Sequence, residues 1–370
     1  MNCDPSRGLV RGLSLVLVCA ACCRTGPALA QAQGRVEALQ RPALVAPQSV
    51  RGALLAAALA GRRIVAVGER GIVLLSDDRG TSWRQVPVPV SVTLTAVRFA
   101  NEKTGWATGH SGVVLATGDG GETWTRRLEG KAAAQLAMDS AKAMEQRLGS
   151  SDPVVRRALL AAARFQADGP DKPLLDLYFS DARHGMVVGA YGLAFVTEDG
   201  GKTWESALER LDNPKGLHLN AIARDGQNIV IAGEQGLVLR STDGGKQFAR
   251  VETPYRGSWF AVHVGAQRQL VLGGLQGNAY FSPDLGATWQ PIAFGMQASI
   301  TSIVGGSHEQ LFAANQAGVL YVSKDVGRSF ERLPRQGVAS LAGLVELGDD
   351  VFVSVGLRGL QRVHGRGERS

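Results

Sequence analysis

Residues 117–124 read TGDGGETW, and the pattern returns as SDDRGTSW at 76–83, TEDGGKTW at 197–204, STDGGKQF at 241–248, SPDLGATW at 282–289 and SKDVGRSF at 323–330. A carboxylate, glycines, a hydroxyl residue and an aromatic so close together suit a metal loop, a phosphate cradle, a catalytic site or a plain structural turn. The spacing of the copies is informative. The motif aspartates are Asp78, Asp119, Asp199, Asp243, Asp284 and Asp325, separated by 41, 80, 44, 41 and 41 residues. Seven positions before each stands a glycine: Gly71, Gly112, Gly192, Gly236, Gly277 and Gly318. Gly359 follows after a further 41 residues, without an aspartate behind it.

Around each glycine the sequence alternates as a hairpin does, a β-rich run, a tight turn and a second β-rich run, as in IVAVGERGIVLLSD and GMVVGAYGLAFVTE. Upstream lies another apolar alternation, such as LTAVRFA, LNAIARD or ITSIVGG. Downstream, the Trp or Phe of the motif opens a fourth short strand. Four strands in about 40 residues is the period of a propeller blade. The chain therefore reads as an all-β, seven-bladed β-propeller over residues 35–366. The last unit runs out before a fourth strand, so VEALQRPALVA at 36–46 is expected to supply the outer strand of that blade and close the ring.

The doubled interval of 80 places a helical insertion at residues 131–170, between blades 2 and 3. Ala134, Ala137, Ala141, Met144 and Leu148 share one face of a first helix. Asp152 then caps a second that begins at Pro153 and carries Val155, Ala158, Ala162 and Phe165. The hairpin is expected on the same face as the turns between strands two and three.

Composition agrees with this reading. The 370 residues include 47 glycines, well above the usual share of about 7%, with ordinary hydrophobicity. Residues 1–30 read as a secretory signal peptide: Arg7 and Arg11, an apolar LSLVLVCAACC too short for the roughly 20 residues of a spanning helix, and ALA at 28–30 before a cut at Gln31. This predicts a periplasmic protein. Lipid attachment at Cys22 is the lesser reading, because CAAC lacks the usual Leu. All four cysteines precede the predicted cut, so disulfides and thiolate sites are not expected. The remainder carries 37 basic against 32 acidic residues, net +5, without a clustered basic stripe, and nucleic acid is not an expected partner.

The repeated motif fits the pattern Ser/Thr-x-Asp-x-Gly-x-Thr/Ser-Trp/Phe, the Asp-box or BNR repeat. It reads as a turn that satisfies itself: Asp bonds nearby amides, Gly takes a conformation other residues resist, and the aromatic buries against the blade. Calcium would need more carboxylates per loop. A phosphate loop would need GK[ST] and a following helix. The histidines show no metal spacing, so neither metal nor cofactor is expected. Asp-boxes also occur in sialidases, which use a Tyr nucleophile with a carboxylate. The early RIP-like motif of that family is absent, and Tyr191 with Glu69 or Glu234 is the nearest candidate constellation. A glycan-binding or sialidase-like propeller is therefore the alternative function.

Over nearly the whole chain beyond the signal segment, units such as GWATGHSGVVLATGDGGETW resemble the photosystem II assembly and stability factor-like family of Asp-box propellers. That resemblance implies a non-catalytic scaffold or accessory factor whose client is an exported or membrane protein, including transporters of the resistance-nodulation-division type. The partner-binding face is expected at the hairpin turns, which offer Arg70, His110, Tyr191, Gln235, Gln276, Gln316 and Arg358.

Overall fold

A computed structural model describes residues 37–169, 171–306, 309–334, 340–348 and 351–364. The predicted signal peptide and its four cysteines lie outside them, as do residues 35–36 and 365–366 of the predicted propeller. Seven antiparallel sheets follow one another along the chain, each meandering through its strands in sequence order. Blade 1 consists of Leu54–Ala60, Arg63–Gly68, Val73–Ser76 and Arg84–Gln85; blade 3 of Leu174–Phe179, Gly185–Gly189, Ala194–Thr197 and Glu205–Ser206. Among the described residues blade 7 has three strands, Leu341–Glu346, Val351–Gly356 and Gly359–His364. The fold is a seven-bladed propeller: each first strand packs on the first strands of the two neighbouring blades, and the first strand of blade 7 packs on that of blade 1.

The apolar runs become central strands because both faces of each blade are covered. In blade 1, Val65 and Val67 join the cluster shared with blade 2, while Ile64 and Ala66 join the one shared with blade 7 through Val345, Val353 and Val355. Alternation along one strand thus feeds two cores, which is why these strands read as unbroken hydrophobic runs. In every blade the register between first and second strands shifts near the turn end, as between Leu54 and Ala56 or Leu341 and Gly343. A bulge at the same place seven times bends the first strand and adds twist.

The Asp-box loops bridge third and outer strands. In blade 3, Thr197 Oγ1 donates to Asp199 Oδ1 at 2.9 Å and accepts Gly201 N at 2.8 Å. Asp199 accepts Thr203 N at 2.9 Å and Thr203 Oγ1 at 2.7 Å, and Trp204 Nε1 donates to Gly201 O. The degenerate copy in blade 1 makes the same bonds through Ser76, Asp78, Gly80 and Ser82. Both carboxylate oxygens are therefore occupied by the loop itself. The Ser82 hydroxyl and amide hold Asp78 down to a pKa of about 2, and the Thr203 amide and hydroxyl do the same for Asp199. For Asp119, Asp284 and Asp325, burial pushes upward, but the hydrogen bonds outweigh it and the carboxyls end below their ordinary range. Asp243 is lowered chiefly by Ser241.

The expected closing strand is not formed by the described residues 37–46. They run as turn and coil across blade 1, where Ala43 N donates to Val88 O at 3.0 Å and Ser91 N donates to Ala38 O at 2.8 Å. Leu39 and Ala43 are buried in the cluster between blades 1 and 2. Burial of these side chains outweighs a two-residue ladder, and Pro42 could not donate to one. The ring closes instead through the core shared by blades 7 and 1.

Candidate functional site

The turn between second and third strands follows one plan in most blades, written as G-x-x-G: Gly68 to Gly71, Gly109 to Gly112, Gly189 to Gly192, Gly233 to Gly236 and Gly274 to Gly277. The first residue after the leading glycine donates its N–H to the carbonyl just before the first strand. Glu69 N to Ala53 O is 2.9 Å, Ala190 N to Pro173 O is 3.0 Å, and Leu357 N to Ser340 O is 3.2 Å in blade 7. A Cβ on the leading glycine would lie 2.1 Å from Ala53 O at Gly68 and 2.4 Å from Pro173 O at Gly189. The leading glycine is thus a close-approach residue. Sequence reasoning used only the trailing glycine, although the repeated pair was visible.

The second turn residue sits in the left-handed region: Arg70 at φ 53°, Ser111 at 58°, Tyr191 at 57°, Gln235 at 54° and Gln276 at 58°. Most of the predicted partner-face residues therefore hold one equivalent position. Arg70, Tyr191, Gln235 and Gln276 share it, Arg358 takes the second place of a turn one residue shorter, and His110 and Gln316 stand one place earlier. All seven are exposed, and the seven turns recur at the same end of their blades.

Glu69 and Glu234 do not serve as acids toward Tyr191. Glu69 Oε1 accepts Ala53 N at 3.1 Å, and Glu234 Oε1 accepts His218 N at 2.9 Å, so each ties its turn to its own first strand. Tyr191, 59% exposed, stands edge-on to His218 with centroids 4.9 Å apart. The Lys172 ammonium lies 4.9 Å from its ring centre and is paired with Asp168 and Asp171. This is an amphipathic corner with a cation–π contact rather than a nucleophile with a carboxylate base.

The insertion forms the predicted hairpin, α1 (Gly130–Leu148) and α2 (Pro153–Asp168). Asp152 accepts Val154 N at 2.7 Å as the cap. Ala133, Ala134, Ala137, Ala141, Ala162 and Phe165 are buried in one cluster with Trp106, Leu128 and Leu193 of blades 2 and 3. Leu148 instead remains exposed. Arg147 pairs with Glu209, and Arg157 donates to Pro214 O, fastening the hairpin to the segment that leaves blade 3. At the blade 2 turn, a Cβ on Gly112 would meet Gly130 Cα at 2.8 Å, so α1 starts against a face turn. No helix among the described residues is long and apolar enough to cross a membrane.

Ring and self-satisfied loops define an Asp-box β-propeller whose turns expose charged, polar and apolar side chains at one end of the blades. The sequence profile of the family described as Photosynthesis system II assembly factor YCF48 matches residues 75–147 and 166–306, more than half of the chain, and the chain belongs to that family. The gap between the two matched spans covers the connection of the hairpin and most of α2, and residues before 75 and after 306 are also unmatched. Photosystem II assembly lipoprotein Ycf48 of Synechococcus sp. (strain CC9902) is 38% identical over 77 residues, 21% of this chain and 23% of that protein. The chloroplastic photosystem II stability/assembly factor HCF136 of Cyanidioschyzon merolae (strain NIES-3377 / 10D) is 45% identical over 51 residues, 13% of this chain and 12% of that protein. The chain thus aligns with less than a quarter of the length of either relative. A solved structure described as YCF48 bound to D1 peptide superposes with a TM-score of 0.60 at 15% identity, covering 88% of this chain and 96% of that one. YCF48 from Cyanidioschyzon merolae gives 0.60 at 17%, covering 88% and 98%. At these identities the likeness is one of fold.

Proposed function

We propose that the protein is an exported scaffold without chemistry of its own, holding a segment of a membrane or periplasmic client during assembly. Family membership carries the reading, and one relative of the same fold is described with a peptide of D1 bound. The turn face is the proposed contact surface, since Arg70, His110, Tyr191, Gln235, Gln276, Gln316 and Arg358 are exposed in a rigid frame. The chemistry that once suggested catalysis is used elsewhere: the Asp-box carboxylates hold their loops, and Glu69 and Glu234 hold theirs.

A photoreactive residue at Gln276, whose side chain is exposed, tests the contact in the producing cell. The expected product is a crosslink to one exported or membrane-embedded protein, a resistance-nodulation-division type transporter being the specific client proposed. Absence of any such product, with the same residue in the Asp-box loop at Lys202 giving as much, would remove the turn face. Turnover of fluorogenic sialosides lost in Tyr191→Phe would replace the scaffold reading by the glycan one.

A further inference from the structure

Among the described residues, no strand pairs on the outer side of the third strand of blade 7. In blades 1, 3, 4, 5 and 6 the carbonyl of the first third-strand residue (Val73, Ala194, Val238, Ala279 or Leu320) accepts a backbone N–H arriving from the outer strand at 2.8–3.0 Å. Leu360 is their counterpart, since it lies opposite Val355 as Val73 lies opposite Val67. Among the described residues no donor reaches Leu360 O, and no strand pairs on that side of Gly359–His364. Ser354 Oγ donates to Gln361 O. Gln361 therefore faces the second strand, and alternation turns the backbone groups of Leu360 and Arg362 outward.

A groove of about 810 Å³ follows this edge, between Val353, Leu360 and Arg362 of blade 7 and the Asp-box residues Thr81 and Trp83 of blade 1. Arg51 and Arg358 complete its rim. The lining contains three arginines and no carboxylate, and among the described residues none of the three has an ion-pair partner. The nearby Asp78 is consumed by Ser76, Thr81 and Ser82.

We propose that the groove is a strand-acceptor site for an extended, acidic peptide segment of another protein. This deepens the scaffold reading and rests on it. The entering segment would pair with the backbone of Leu360 and Arg362, set alternate carboxylates against Arg51, Arg358 and Arg362 on the face toward Trp83, and turn the intervening side chains to the opposite face of the sheet. Strand addition supplies main-chain affinity and the arginines supply selection. The chain's own flanking segments are poor competitors, because QAQGRV at 31–36 and GRGERS at 365–370 each carry a net positive charge.

The test uses the purified full chain and a fluorescein-labelled decapeptide of alternating Glu and Val, with the Lys–Val decapeptide as control, read by anisotropy. Saturable binding is expected for the Glu–Val peptide alone, with slowed amide exchange at Leu360 and Arg362. Arg362→Pro removes an outward N–H while sparing the ladder to the second strand, and it should weaken binding at least tenfold. The double variant Arg358→Glu with Arg362→Glu should do the same, which keeps the proposal testable if the proline variant unfolds. Equal binding by folded variants, or by both peptides, overturns it. So does binding seen only after removal of residues 365–370, which would show the chain's own tail in the groove, and so does a dimer dissolved by Arg362→Pro. Crosslinking at Gln276 reports on the scaffold reading separately: a client captured there by a protein indifferent to the Glu–Val peptide would leave that reading standing and this one refuted.

Discussion

The hydroxyl that opens each Asp-box bonds both the carboxylate and a backbone amide of its own loop. Thr197 is 4% exposed and bonds both Asp199 Oδ1 and Gly201 N. Thr197→Val keeps the shape but leaves the Gly201 N–H buried without a partner, and the cost of such an orphan is about 1–3 kcal/mol. Urea unfolding should show that loss, with an unchanged dependence on denaturant. Gln235 presents the opposite case. It is exposed, sits at φ 54° and has no recorded side-chain bond, so its left-handed backbone costs about 1 kcal/mol that glycine would not incur. Gln235→Gly is expected to raise the melting temperature, and a fall would mean that its side chain supports the turn.

At the scale of the element, the hairpin units were legible because a tight turn and an Asp-box impose their own residues at fixed positions, wherever the chain lies. The leading glycines were less so, since a close approach to Ala53 O or Pro173 O is a tertiary fact. Gly189→Ala should cost about 1–3 kcal/mol by overpacking at that contact, measured against Gly118→Ala, where nothing stands within 4 Å of the new carbon. The segment at 36–46 was misread for a related reason. Its alternation suited a strand, but an edge two residues long offers little, whereas Leu39 and Ala43 find a buried site that only the folded blades create. The helical insertion was legible through its cap and its alanine stripe; what the stripe packs on was not. Because α1 and α2 share a core with Trp106 and Leu193, removing residues 131–170 should lower the melting temperature by several degrees as well as affect any docking. A hairpin that merely decorates would leave it unchanged.

Across the whole molecule, the six Asp-boxes act in one direction on acid stability. Asp78 and Asp199 are held at about pKa 2, and the other four lie below their ordinary value. An aspartate in the unfolded chain titrates near 3.9. Between those limits the unfolded chain binds more protons than the folded one, so stability contributed by these groups is complete above about pH 5, declines as pH falls through 4, and is gone below about 2. His263 acts in the same sense from higher pH: burial lowers its pKa, so the stability tied to its neutral form begins to be lost as pH falls through the ordinary imidazole range. The melting temperature should therefore slip slightly as pH falls through the imidazole range and drop steeply between pH 4 and 2. Replacing Asp78 and Asp199 together by Asn removes two titrating groups while keeping an acceptor oxygen, and it should flatten the drop at the expense of stability at pH 7. An unaltered acid slope in that double variant would show that the two most strongly lowered aspartates of the motif, Asp78 and Asp199, do not carry the acid sensitivity.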